Sequence, residues 1–518
     1  MADFDHDQTC QIQEKLRRGY ITRAVMSILC VFAAPCLNRV HVFSFTRQTG
    51  QESIQQPVQK GVVIQHLACS LDPGQSYALY LPSGYTDKTA WPILYCFDPG
   101  AQGRAPVEAF KDGAEKLGYI VAGSNNSRNG PTAVSTAAIN AIWRDTHARF
   151  NVNDNRIYAA GFSGGARVAC QFGYALPGKI AGVIACGAGF PTNIAPSRST
   201  PFVVFATVGT ADFNYPELIQ LARALDSAGI PNKLRVFDGP HQWAPKDLAA
   251  EAIEWMQLEA MKSGRLQKDN SFIDLVFARE AAQARTYESS AKPYDAYLAY
   301  ERLVKDFNGV KDVTEFMKKA SDLKNSKEVK QGLRQQKEDI DKQIAREREL
   351  ELLKSRAFGR AAADPGNSAA DAGVNGSTEA SQDRAAALAD LKRTIASLRK
   401  KSEEASPDRD VLRRVLQGFF VECYETASSL IQAKNYALAA ANLEVAAEVR
   451  PDGRGLFFDL ACAYSRLKEK NKALAALKKA VDNGYADLHS LESDPDLDLI
   501  RAEPEFQRIL AGLKSKAQ

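Results

Sequence analysis

Apolar residues follow two different patterns along the chain, and the change between them falls near residue 265. Before it, short continuous apolar runs alternate with stretches of helical periodicity, which is typical of buried strands joined by crossover helices. The runs cover residues 91–97, 118–123, 156–160, 201–208 and 233–237. Beyond it, helical periodicity dominates. The pattern predicts an α/β domain over residues 55–265, with a mostly parallel sheet covered by helices on both faces, followed by an all-α region.

Composition divides the all-α region further. Residues 271–358 predict a helical region whose second half is dense in charged and amide side chains, as a solvated helix would be. Residues 359–408 begin with a stretch rich in Ala, Gly, Ser and Asp, which predicts a flexible linker with a short helix. Residues 411–515 again carry helical periodicity.

Residues 1–40 contain an apolar run at 24–37 that follows Arg17, Arg18 and Arg23. Such a run is too short to span a bilayer comfortably and suits the central part of an export signal. We therefore expect an exported protein, periplasmic or extracellular. A short membrane anchor and a cytosolic protein with a misassigned start are the alternatives.

Ser163 lies in the sequence Gly-Phe-Ser-Gly-Gly at 161–165, between a strand-like run and a helix-like run. Glycines on both sides of a serine allow the very sharp strand-to-helix turn that presents a nucleophilic hydroxyl at the carboxyl edge of a sheet. The motif predicts Ser163 as a catalytic nucleophile.

Asp212 and His241 each follow a predicted strand further along the chain. His241 alone among the six histidines lies after Ser163 and before the α/β pattern ends. The order serine, acid, histidine is the order in which α/β-hydrolases supply a catalytic triad. Asp238 is the alternative acid, and a helix-capping role is the alternative for Asp212.

Residues 58–263 resemble the serine esterases of the α/β-hydrolase superfamily, in the style of the poly(3-hydroxybutyrate) depolymerase, feruloyl esterase and carboxylesterase or phospholipase branches. The resemblance implies acyl transfer to Ser163, with His241 as general base and acid and Asp212 orienting its imidazole. It also implies an ester substrate, either a small molecule or a polymer. A serine peptidase of the same fold and an inactive binding or scaffold protein are the alternatives.

The same resemblance implies an oxyanion hole built from two backbone N–H groups. One belongs to Gly164, the residue after the nucleophile, and the other to the loop after strand 91–97. Many relatives carry His-Gly in that loop, whereas this chain has Asp-Pro-Gly at 98–100. Since Pro99 has no N–H, we expect the donor to be Gly100 or Ala101.

Three apolar positions recur at an interval of 34 residues, the tetratricopeptide period. The pairs are Ala439 with Ala473, Leu443 with Leu477, and Ala446 with Ala480. Residues 411–515 therefore resemble tetratricopeptide repeats, and a generic array of helical hairpins is the alternative. The resemblance implies a protein or peptide partner bound in a concave groove.

Charge and motif content exclude other classes. A net charge of +4 over 518 residues, without a basic stripe interleaved with aromatic residues, predicts no nucleic-acid binding. The sequence has neither C-x-x-C nor H-E-x-x-H spacing, and its glycine-rich loops match no phosphate-binding or dinucleotide motif. We therefore predict no metal and no cofactor.

Overall fold

The computed structural model describes residues 58–359 and 378–517. Within these ranges the chain forms two compact units that part between Ile340 and Asp341. The segment 1–40, for which an export signal or anchor is predicted, and the first part of the predicted linker lie outside the described residues. No helix in the two described ranges combines the length and the apolar character needed to cross a bilayer.

The first unit is built on one eight-stranded sheet. Its strands are β1 (Val63–Cys69), β2 (Asp72–Tyr80), β3 (Trp91–Phe97), β4 (Ile120–Ser124), β5 (Val152–Phe162), β6 (Ile180–Cys186), β7 (Val203–Gly209) and β8 (Asn232–Phe237). They lie in the order β1-β2-β4-β3-β5-β6-β7-β8. Strand β2 pairs antiparallel with β1 and with β4, and every other neighbouring pair is parallel. The predicted mostly parallel sheet is confirmed.

Helices cover both faces of this sheet. They are α1 (Arg104–Leu117), α2 (Thr132–Arg149), α3 (Gly164–Ala175), α4 (Tyr215–Ser227) and α5 (Lys246–Lys262). One buried cluster joins the sheet to α2, α3 and α4 through residues such as Trp143, Phe172 and Leu218. A second cluster joins the opposite face to α1 and α5 through Phe110 and Trp255. Because both faces of these parallel strands are buried, their sequences are nearly continuous runs of apolar residues.

Three further helices extend the first unit: α6 (Asn270–Ser289), α7 (Pro293–Phe307) and α8 (Thr314–Lys324). They share a core with the end of α5, in which Leu258 and Met261 pack with Tyr300 and Phe307. The helix α9 (Lys327–Phe358) begins in this unit and ends in the second. The helical region predicted at 271–358 is therefore continuous with the core of the α/β part up to residue 340.

The second unit is all helical. Its elements are α10 (Thr378–Glu403), α11 (Arg409–Gln432), α12 (Tyr436–Val449), α13 (Arg454–Arg466), α14 (Lys470–Asp482), α15 (Leu488–Ser493), a 3-10 turn (Pro495–Leu497), α16 (Asp498–Arg501) and α17 (Pro504–Ala517). Helix α10 has 26 residues and buries Leu391 and Ile395, so the helix expected within 359–408 is long rather than short. The six residues that recur at 34-residue spacing are all at most 1% exposed, where α11 packs on α12 and α13 on α14.

Candidate active site

Ser163 occupies a strained turn between β5 and α3. Its φ of 53° and ψ of −124° lie where residues with a side chain are rarely found. A Cβ at Gly161 would overlap the carbonyl oxygen of Gly165, and one at Gly165 would overlap that of Phe97. The backbone N–H of Ser163 donates to the carbonyl of Cys186, at 2.9 Å. The glycines therefore permit the turn, and the neighbouring strand holds it in place.

Asp212 and His241 form a direct pair. The Nδ1 atom of His241 lies 2.9 Å from each carboxylate oxygen of Asp212, which is fully buried in the loop after β7. The backbone N–H of Asn214 donates to Asp212 Oδ1 at 2.8 Å, so the carboxylate is held from a second side. The alternative acid, Asp238, is exposed and accepts from the hydroxyl of Thr210.

Gly187, the residue that follows β6, lies between the turn at Phe162–Ser163 and the Asp212–His241 pair. A Cβ on Gly187 would lie 3.1 Å from Asp212 Oδ2, 3.1 Å from His241 Cε1 and 2.9 Å from the ring of Phe162. Phe162 immediately precedes Ser163, whose N–H is bonded to Cys186. The Asp212–His241 pair therefore lies beside Gly187, the residue after the carbonyl that accepts the Ser163 N–H, near the carboxyl ends of β5, β7 and β8.

Aromatic rings enclose the imidazole of His241. The ring centroids of Phe162 and Phe213 lie 4.5 Å and 4.4 Å from its own. The side chain of His241 is 10% exposed. Two rings at this distance restrict rotation of the imidazole away from Asp212. Sequence reasoning gave Phe213 no role, because its position depends on the turn between β7 and α4.

Asp98 organises the loop after β3 and ties it to the loop that carries His241. Its Oδ1 atom accepts the N–H of Gly100 at 2.8 Å, and its carbonyl accepts the N–H of Ala101 at 3.2 Å. Its Oδ2 atom accepts the indole N–H of Trp243 at 2.7 Å. The two predicted loop donors of the oxyanion hole are therefore already engaged by Asp98.

Gly164 opens helix α3, so its N–H is one of the first-turn amides that a helix does not pair internally. A Cβ on Gly164 would overlap the side-chain oxygen of Asn129 and lie 2.9 Å from its amide carbon. Asn129 belongs to the loop between β4 and α2. Its contact with the nucleophile turn depends on tertiary structure and has no signal in the sequence.

The strand order, with a strained serine on the turn after the fifth strand, defines the α/β-hydrolase fold. In the part of the chain that the structure describes, no group of three or more His, Cys, Asp or Glu side chains is arranged to hold a metal ion. The candidate site comprises Ser163 and the Asp212–His241 pair, with Gly164 and the side-chain amide of Asn129 next to Ser163.

No model of a known protein family matches the chain. Over 117 residues it is 32% identical to a chloroplastic protein of Arabidopsis thaliana, a match that covers 22% of this chain and 31% of that protein. The chain thus spans about a third of the length of the curated relative it matches.

Among solved structures, the chain is similar to a ferulic acid esterase at 18% identity and a TM-score of 0.32, covering 39% of this chain and 98% of that one. It is also similar to an S-formylglutathione hydrolase of Staphylococcus aureus at 16% identity and a TM-score of 0.29, covering 35% and 90%. A third is esterase 2 of Thermogutta terrifontis, phosphonylated by sarin, at 14% identity and a TM-score of 0.30, covering 42% and 100%. These scores are low, so the fold assignment rests on the strand order of the protein itself.

Proposed function

We propose that this protein is a serine hydrolase that cleaves carboxylic esters through an acyl-enzyme on Ser163. His241 accepts the Ser163 proton as the oxygen attacks the ester carbonyl, then protonates the departing alkoxide, and water releases the acyl group by the reverse sequence. Asp212 keeps the proton-bearing nitrogen of the imidazole directed at itself, which leaves the other nitrogen for the serine. The direct Asp212–His241 pair and the strained turn at Ser163, which both lie next to Gly187, support this proposal.

The proposal includes a docking role for the second unit. The 34-residue recurrence of buried small and large residues supports tetratricopeptide-like repeats, and such arrays bind peptides or proteins on a concave surface. The candidate active-site residues named above all lie in the first unit. We therefore assign chemistry to the α/β part and recruitment of a protein or peptide partner to the helical repeats.

A fluorophosphonate probe tests the catalytic assignment. We expect the folded protein to be labelled at Ser163 and the Ser163→Ala variant not to be labelled. Asp212→Asn should lower kcat by about 10⁴-fold, because the imidazole then favours the wrong tautomer. The matched control is Asp238→Asn, which changes an exposed carboxylate that contacts Thr210 and should leave turnover close to wild type. A folded wild-type protein that resists labelling would contradict the proposal.

A panel of substrates distinguishes an esterase from a peptidase. Chromogenic esters of increasing acyl length, a feruloyl ester and peptide anilides would be compared by kcat/KM. Ester turnover that depends on Ser163, with anilides at least tenfold slower, is the expected result. Faster turnover of the anilides would identify a peptidase instead.

A further inference from the structure

The oxyanion hole described so far has one available donor, the N–H of Gly164. The other two backbone amides predicted for it, those of Gly100 and Ala101, donate to Asp98. Acyl transfer places a full negative charge on the former carbonyl oxygen, and removal of one of two donors from such a site typically costs about 10²–10³ in kcat. A second donor near Gly164 is therefore needed.

The loop after β4 runs alongside the loop after β3 at this place. Gly100 and Arg128 form an antiparallel bridge, and the N–H of Asn129 donates to the carbonyl of Pro99 at 2.9 Å. Buried Ser127 also anchors this loop, because its N–H donates to Ser124 Oγ at 3.0 Å. Asn129 is thus fixed by backbone bonds at the position where the oxyanion loop meets the nucleophile turn.

The Asn129 side chain lies directly against Gly164. The oxygen, carbon and nitrogen of its amide lie 1.9 Å, 2.9 Å and 3.3 Å from the position of a Cβ on Gly164, so the oxygen is the nearest of the three. Since no hydrogen bond fixes this amide, rotation about χ2 brings its nitrogen to the position of the oxygen. Within residues 58–359 and 378–517 the side-chain amide makes no hydrogen bond, and Asn129 is exposed at the mouth of the site. An amide with two unused N–H groups therefore borders the residue that supplies the first oxyanion donor.

We propose that the side-chain amide of Asn129 is the second oxyanion donor, an assignment that rests on the proposed esterase function. When Ser163 Oγ bonds to the ester carbonyl carbon, the electron pair of the C=O bond moves to its oxygen. The N–H groups of Asn129 and Gly164 donate to that oxygen. Collapse restores the C=O bond and expels the alkoxide, which takes the proton held by His241.

Two substitutions of Asn129 test this role. Asn129→Ala removes the donor, and the nearly isosteric Asn129→Asp replaces it with a carboxylate that repels the developing charge. Both should lower kcat by about 10²–10³-fold with KM changed less than about threefold. Because the side chain is exposed and makes no bond, the melting temperature should stay within about 2 °C of wild type. Arg128→Ala, the neighbouring exposed side chain, is the matched control and should keep kcat within about threefold.

A trifluoromethyl ketone distinguishes a donor from a residue that only supports the loop. The ketone forms a hemiketal oxyanion on Ser163, so its inhibition constant should rise in Asn129→Ala by the same factor by which kcat/KM falls. Wild-type kcat in folded Asn129→Ala, or an unchanged inhibition constant, would overturn the proposal for Asn129. Fluorophosphonate labelling of the wild type at Ser163 would at the same time leave the esterase proposal standing. A wild type that neither labels nor turns over would refute both.

Discussion

At the scale of single residues, the candidate site depends on a glycine that belongs to no motif. Gly187 has a φ of +64°, and the three groups around it lie close enough that an added methyl group would force them to shift. Its neighbours are the Asp212–His241 pair and Phe162, the residue before Ser163. A substitution here would act on the geometry of the site while leaving every proposed catalytic group in the chain.

Gly187→Ala should therefore reduce kcat/KM by at least tenfold, because the new methyl group displaces His241 or Asp212. The matched control is Gly178→Ala, which has a φ of +81° and open space around the added Cβ. Both variants carry the backbone penalty of a left-handed alanine, about 1–2 kcal/mol. Circular dichroism melts would show similar losses of stability, and ester hydrolysis should separate the two variants. Equal activity in both would contradict this view of Gly187.

The sequence indicates the identities of Ser163, Asp212 and His241 because motif and chain order are local properties. Their oxyanion donors could not be assigned in the same way. Asp98 belongs to the Asp-Pro-Gly sequence after β3, but which N–H groups its side chain accepts depends on the loop conformation. Asn129 reaches Gly164 only because β4 lies two strands away from β5 in the sheet, and the order of strands is a property of the folded chain.

At the scale of elements, a buried lysine joins the sheet to the helices that follow it. Lys233 in β8 places Nζ 2.7 Å from Glu280 in α6, 2.9 Å from Asp306 in α7 and 3.1 Å from Glu251 in α5. Burial acts to lower the pKa of Lys233, but the three carboxylates outweigh it and leave the pKa raised. Two of the three carboxylates that neutralise this buried charge, Glu280 and Asp306, therefore belong to helices that lie beyond the α/β pattern.

Asp306→Ala should lower the free energy of unfolding by about 3 kcal/mol, because it leaves a buried cation with fewer partners. It also removes the acceptor of the Trp255 indole N–H, at 2.9 Å. Urea unfolding followed by tryptophan fluorescence would measure the loss. The control is Glu315→Gln, which breaks an exposed pair with Arg285 and should cost less than about 1 kcal/mol. A loss for Asp306→Ala no larger than for the control would show that the other two carboxylates suffice.

At the scale of the whole molecule, the helices after residue 265 belong to two different structural units. Helices α6 to α8 complete the core and the charge balance of the α/β part, whereas α10 to α17 form the second unit. Periodicity in the sequence identifies both groups of helices, but it does not show which helix packs against which. The boundary of the proposed catalytic part is therefore set by packing at residue 340 rather than by the end of the α/β pattern.

A chain that ends at Ile340 should remain folded and hydrolyse a soluble ester at a rate within about threefold of the full-length protein. A chain that ends at Ser263 should fail to fold, because Lys233 would keep only Glu251 as a partner and the end of α5 would expose Leu258 and Met261. Circular dichroism and turnover of the same ester would compare the three proteins. Loss of activity in a folded chain ending at Ile340 would mean that the second unit contributes to catalysis, against the proposed docking role.

The bond between Trp243 and Asp98 also has a spectroscopic consequence. The sequence contains four tryptophans, and Trp243 is the one whose indole N–H is held by a carboxylate in the loop beside the nucleophile turn. Its ring lies 5.8 Å from that of Phe162, which in turn faces His241. Indole emission responds to nearby charge, so Trp243 is an intrinsic optical reporter of the state of the site, available without any attached dye.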